Sequence, residues 1–384
     1  MAGGKVSGPA LLSGLLLAAT CLVVGGDRTG RSSLDDARRA VARGDWAAGF
    51  AGYLALDRAG AGGAEVANGL ALAAGRLVAS LPTEPAALQR DVVGWLAGAG
   101  GEALLATALD RCTAPIPAGS FVMGDDSGRP DERPARMVSL DAYRIDRYEV
   151  TNVQYARFVV ATGQAAPEYW VDGEYPPGEA AFPVLAVSWA DAAAYCSWAG
   201  RRLPTEAEWE RACRGPDGSV YPWGDTWDPL HANVASGLPP LGADPGSADP
   251  AWEVLAEAGS ASGSEAGPAP RTVGSQPAGA SSEAVLDLVG NAAEWVADWY
   301  NWDGYADLPD HNPIGTGPPV NHVVRGIGWL DRYGRPDLVA TEARCSARNS
   351  SHALVDVRQG FRCAVSGLDV PADPPSLSRR SGVP

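Results

Sequence analysis

The sequence predicts a loop-rich α+β domain behind a small helical region, and three observations carry this reading. Residues 187–215, VSWADAAAYCSWAGRRLPTEAEWERACRG, form two short helical segments in tandem. Ser188 and Thr205 stand at the N-cap positions, and each is followed three residues on by an acid, Asp191 or Glu208. These pairs can satisfy the orphan N–H groups of a first turn. Gly200 and Gly215 supply the exits. Residues 116–122 and 137–145 alternate apolar and polar in the manner of strands. Finally, 47 Gly, 31 Pro and 13 Trp in 384 residues favour irregular connections over a regular bundle or a doubly wound sheet.

The length allows one large domain and a smaller one. The formal charge of −16 argues against binding to a phosphate backbone, which needs basic patches. In chain order, residues 1–26 read as an export segment or membrane anchor. Lys5 is the first charge, Leu11 to Val24 is nearly continuous apolar sequence, and Val24-Gly25-Gly26 offers small residues for cleavage. The run is short for a stable membrane helix. Cys21 gives a lipoprotein alternative, although Ala18-Ala19-Thr20 before it lacks the usual leucine. The expected location is therefore periplasmic or membrane-attached.

Residues 27–110 are alanine-rich and helical in pattern, with a break near Gly44-Asp45. Their spacing resembles one tetratricopeptide-type hairpin. Such a hairpin could dock a partner within a larger exported complex or simply act as a spacer. The main domain begins near Cys112. GDDSGRPDERPAR makes a polar loop between its first strands, and Thr151 with Gln154 caps a helix through about Val160.

Four cysteines remain beyond Cys21 and Cys112, namely Cys196, Cys213, Cys345 and Cys363. They allow three pairings. Export favours disulfides, and the lack of a C-x-x-C pair argues against zinc. Residues 234–283 are a Gly, Ala, Ser and Pro-rich insertion. It carries Asp244, Asp249, Glu253, Glu257, Glu265 and Glu283 against the single base Arg271. It reads as a mobile acidic loop with a short helix over 251–258. Residues 368–384 read as a disordered tail.

Six blocks then resemble the formylglycine-generating enzyme, or sulfatase-modifying factor, family. They are IPAGSFVMG at 116–124, YRIDRYEVTNVQYARFV at 143–159, GRRLPTEAEWERACRG at 200–215, YPWGD at 221–225, LVGNAAEWVADWY at 288–300 and VVRGIGW at 323–329. The last leads into RCSARNSSHALVDVRQGFRCA at 344–364. The resemblance covers roughly residues 112–367. It implies an irregular α+β, C-type-lectin-like fold, in which Arg147, Glu149 and Asn152 are fold residues. It also implies disulfides Cys196–Cys363 and Cys213–Cys345. It implies a structural calcium on the side chains of Asp287 and Glu294 and the carbonyls of Gly290 and Ala292, oxygen donors of the kind calcium takes. A second calcium would use Asn233 and Val234, but its remaining ligands fall inside the altered insertion.

The same resemblance sets up a departure. A formylglycine-generating enzyme holds copper(I) on two cysteines, and soft thiolates select that ion. The first should fall two residues after Trp329, where this chain has Asp331, and no cysteine occurs from Asp331 to Arg344. Gly328 replaces a serine of the family, and Ala293 replaces a frequent tryptophan that would wall the groove. No copper is expected. The four histidines, His231, His311, His322 and His352, form no H-x-E or H-E-x-x-H motif. No Ser-His-Asp or phosphate-loop motif appears either. The first expectation is thus an exported module without catalytic residues that binds a peptide, glycan or protein, with Trp329, Asp331, Tyr333 and Arg348 near the groove. The alternative is an oxygen-dependent oxidoreductase of the wider family using non-heme iron or another metal.

Overall fold

A computed structural model describes residues 28–61, 63–78, 80–81, 84, 86–98, 102–234, 269–329, 336–352, 356 and 358–367. The expected export segment, the short helix over 251–258 and the tail lie outside them. The chain divides into two compact units, residues 1–73 and 74–384.

In the first unit α1 (Arg28–Ala42) packs on α2 (Trp46–Arg58). Asp45 caps α2 by accepting from the Ala48 N–H, which places the helix break at the expected Gly44-Asp45. Phe50, Tyr53, Leu54 and Leu56 are buried, so a single stripe of α2 supplies the packing. The helix α3 (Ala64–Leu77) runs across the division between the units.

In the second unit α4 (Ala86–Gly98) and α5 (Glu102–Arg111) come before the first strand. Asp110 near the end of α5 is buried and accepts from Gln154 Nε2 (2.9 Å) and Arg157 (2.5 Å). The end of α5 is thus tied by side-chain hydrogen bonds to the helix that carries Gln154 and Arg157.

The two expected strands are each broken. The first becomes β1 (Thr113–Ile116) and β2 (Gly119–Met123), and the second becomes β3 (Arg136–Leu140) and β4 (Tyr143–Asp146). The breaks at Pro117-Ala118 and Asp141-Ala142 let one pair of runs serve two sheets. β1 and β4 join β9 (Ala364–Ser366), while β2 and β3 form a two-stranded sheet among the described residues. The polar loop between β2 and β3 is tied inward, since buried Glu132 takes two hydrogen bonds from Arg344 (2.8 and 2.7 Å).

The capped segments form as their residues dictate. Helix α6 (Asn152–Thr162) starts at Thr151, whose N–H donates to Gln154 Oε1 (3.0 Å). Helices α7 (Trp189–Trp198) and α8 (Glu206–Arg214) carry the Ser188/Asp191 and Thr205/Glu208 boxes. A four-stranded sheet in the order β7-β6-β5-β8 follows. It contains β5 (Ala293–Trp299), β6 (Asn321–Arg325), β7 (Arg348–His352) and β8 (Gln359–Phe361), with β8 parallel to β5. A short helix, α9 (Pro336–Glu342), precedes β7.

Two disulfides fasten α7 and α8 to the C-terminal strands. They are Cys196–Cys363 (Cα–Cα 5.7 Å) and Cys213–Cys345 (5.6 Å), the pairing the resemblance implies. Trp209 and Trp295 are fully buried in the cores on which these helices and β5 close.

Candidate functional site

The sequence Asp287-Leu-Val-Gly-Asn-Ala forces a tight turn ahead of β5. Asp287, Gly290 and Asn291 all have positive φ (56°, 85° and 64°). Gly290 is needed for a second reason, because a Cβ there would lie 2.6 Å from the Asn233 carbonyl oxygen. That carbonyl accepts the Asn291 N–H (2.9 Å). The Asn291 side-chain oxygen accepts in turn from Asn233 Nδ2 (3.0 Å) and the Arg271 N–H (2.9 Å). Asn233, read as a ligand of a second calcium, therefore clamps the turn, and half-buried Val234 follows it.

Residues 269–283 also belong to this packing. Val273 donates to the Ala181 carbonyl and Gly274 to the Asp287 carboxylate, while Glu283 pairs with Arg211 (2.9 Å). The mobile loop expected over 234–283 does not include them, and residues 235–268 lie outside the described residues. The physical reason is that Val273 is buried and that the backbone around it donates to fixed acceptors.

The carboxylates near the turn are in unlike states. Glu294 is buried and accepts from Arg362 Nε and Nη2 (2.7 Å each) and from Trp209 Nε1 (2.9 Å). A guanidinium already balances it. Asp287 is buried too, and burial pushes its carboxyl up to about 6 against the pull of the Gly274 N–H and Arg362. Glu149 is 1% exposed, and neither of its carboxylate oxygens meets a hydrogen-bond donor. Burial first, and then the charge of Asp287 beside it, holds Glu149 well above the usual carboxylate range. Two acids therefore share a buried position without enough positive charge, which is an arrangement a divalent cation relieves. Among the described residues no three His, Cys, Asp or Glu side chains converge as a metal cluster, so a calcium here would rest on backbone carbonyls as well. Glu149 was read as a fold residue. The available signal was an acid inside the apolar run Tyr148-Glu-Val150.

The expected groove residues are not gathered at a surface. Arg348 is 2% exposed. Its Nε and Nη2 donate to Glu206 (2.7 and 2.9 Å), its Nη1 donates to the Asp131 and Asn301 carbonyls, and its guanidinium faces the Tyr305 ring at 4.5 Å. The reading of Arg348 as a groove residue is corrected by this burial, for its charge is spent inside the core. Trp329 is 1% exposed, with its N–H on the Asn291 carbonyl (3.1 Å) and its indole nitrogen without a partner. It too belongs to the interior. Asp331 and Tyr333 lie outside the described residues.

What does open beside the turn is a cavity of about 240 Å³ next to Ala293. Asn349, Ser350 and Ser351 of β7 form one wall, and Asp356, Arg358 and Gln359 form another. A Cβ on Gly328 would sit 3.0 Å from the Arg358 carbonyl oxygen and 3.4 Å from the Ala293 nitrogen. A serine could not enter this backbone without displacing a neighbour.

The histidines stay apart. His322 is buried and stacked between Trp189 (3.9 Å) and Trp299 (3.7 Å), and burial lowers its pKa. His231 meets the ring of Trp223 edge-on, and His311 approaches Ser139 Oγ at 3.1 Å. The His352 side chain is outside the described set. Of the thiols, Cys112 is buried and pushed up to about 12, chiefly by burial.

The family described as the sulfatase-modifying factor enzyme 1-like domain matches residues 110–366. This chain belongs to that family. The formylglycine-generating enzyme of Bos taurus is 31% identical over 303 residues, covering 66% of this chain and 74% of its own length. A protein named inactive C-alpha-formylglycine-generating enzyme 2 from Mus musculus is also 31% identical, over 305 residues, covering 68% and 88%. Among solved structures, PvdO from Pseudomonas aeruginosa is 25% identical, with a TM-score of 0.48, covering 66% of this chain and 94% of its own. By the family match, the mixed helices and small sheets are the irregular α+β, C-type-lectin-like fold of sulfatase-modifying factors. Within that family this chain has Asp, Gly and Ala at 331, 328 and 293, and its Cys345 is closed onto Cys213.

Proposed function

We propose that this member of the family is an exported binding module that has given up copper-dependent cysteine oxidation. The observation that carries the reading is the run from Asp331 to Arg344, which holds no cysteine. The nearest thiol in sequence, Cys345, is consumed in a disulfide. A carboxylate and a glycine do not replace two thiolates for copper(I). Similarity does not favour activity either, since the mouse relative named inactive is as similar as the bovine enzyme. The apolar run over 11–24 supports export.

Calcium would serve the structure of this module. Asp287 and Glu294 with the carbonyls of Gly290 and Ala292 would hold it, and Glu149, which burial and Asp287 keep protonated, would ionise to add negative charge beside the ion. When bound it supplies positive charge to a buried acidic turn. The residues themselves shape the surface beside β5. Asn233 and Val234 are a weaker pair for a second ion, because the Asn233 amide is committed to the turn.

The test is metal content of the purified full chain, disulfides intact, together with oxygen uptake in the presence of a cysteine-containing peptide. Calcium without oxygen uptake supports the binding module. Stoichiometric copper or iron with oxygen uptake sinks it and revives an oxidoreductase built on another metal.

A further inference from the structure

We propose that the cavity beside Ala293 is a subsite for a neutral carboxamide side chain, asparagine or glutamine, of a bound peptide. The inference rests on the binding-module reading and names what that module takes. Gln359 is 7% exposed and lines the cavity, yet its Oε1 has no hydrogen-bond partner. A buried acceptor left without a donor is costly, so a ligand N–H gains more here than at an open surface.

Charge selects the class. Asp356 and Arg358 hold each other through two hydrogen bonds, Nε to Oδ1 at 3.0 Å and Nη2 to Oδ2 at 2.8 Å. That pair cancels, so the described residues of the lining carry no net charge to recognise a carboxylate or an ammonium. Asn349, Ser350 and Ser351 add groups that both donate and accept. A carboxamide matches this set because it donates to Gln359 and accepts from the other wall. A sugar ring matches it less well, since no aromatic residue stands among the described residues of the lining to stack on its face.

The lining crosses the sheet from β7 to β8, in the order β7-β6-β5-β8 among the described residues, so a ligand lies over the face of the sheet and not along its edge. A peptide laid over that face can lower one side chain between Asn349 and Gln359. The small Ala293 leaves the room. Its Cα partner across the parallel pair is Gln359 itself.

The experiment uses the full chain, isotope-labelled, with disulfides intact. N-acetyl-asparagine methylamide is titrated while the Gln359 side-chain amide and the backbone amides of residues 349–351 are followed by NMR. N-acetyl-leucine methylamide and N-acetylglucosamine are titrated in parallel. The expected result is saturable shifts with the asparagine probe, about tenfold or more stronger than with the leucine probe, as a site built to hydrogen-bond its ligand discriminates. Ala293→Leu, which fills the cavity, should abolish them. Gln359→Met, which keeps length and removes the acceptor, should do the same should Ala293→Leu fail to fold. No shifts, equal shifts with leucine, or shifts with the sugar alone would overturn the subsite. Absent shifts without oxygen uptake overturn the subsite and leave the binding module standing. Oxygen uptake overturns the module whatever the probes do.

Discussion

Cys345 closes onto Cys213 across 132 residues of chain, joining the end of the expected copper segment to helix α8. The bond fastens that segment to the helix. Replacing both cysteines with alanine should lower stability by about 2–5 kcal/mol, the usual effect of losing a long-loop disulfide. Denaturant unfolding of the oxidised protein and of the double variant measures it. A change within error would mean that the surrounding core holds the segment without the bond.

Arg348 should behave as a core residue. With Glu206 it forms a buried pair flanked by Arg325, which reaches Glu206 (3.1 Å) and Glu210 (2.9 Å). Arg348→Met leaves a buried carboxylate under-compensated and should cost about 3–5 kcal/mol. Thermal unfolding checks this. A fully stable Arg348→Met protein would return the residue to the list of ligand contacts.

Much of this was legible in the sequence, and the reason is local. Ser188, Asp191, Thr205 and Glu208 state their helices because caps act within one turn. The cysteine pairing came with the family resemblance and holds. Arg348 was misplaced because a sequence shows that an arginine exists and not which buried acid, 142 residues away, will take it. Glu149 was passed over for a similar reason. Its lack of a partner becomes visible only when the turn at Asp287 folds against it. The strands 116–122 and 137–145 have the right period, but two-residue breaks that hand a strand to another sheet leave no periodic trace.

Calcium should stabilise the protein, and Glu149 should tune the effect. Glu149→Gln removes a buried acid without a donor and should raise the melting temperature in chelator. The same change should weaken calcium about tenfold or more, the range for groups that support a metal site. Melting curves with and without calcium test both signs at once. Identical calcium shifts in the two proteins would remove Glu149 from the site.

Glu179 offers a pH test away from the turn. Burial pushes its carboxyl up to about 7. The folded state therefore holds the proton more tightly than the unfolded chain, whose glutamates titrate near about 4.3. Stability attributable to Glu179 is lost as pH rises from that value through about 7. Glu179→Gln should be neutral at acid pH and stabilising above neutrality by about 1 kcal/mol, less than full linkage because the group is part-exposed. Denaturation at both ends of the range gives the answer. A gain at acid pH alone would contradict it.

The two disulfides are nested, with Cys213–Cys345 lying wholly within the span of Cys196–Cys363. A peptide bond cut anywhere between residues 214 and 344, the acidic insertion included, falls inside both covalent rings. The halves of such a nicked molecule stay joined by two links until a reductant opens them. Exposure to a protease can thus convert this protein into a two-chain form with its C-terminal strands still attached.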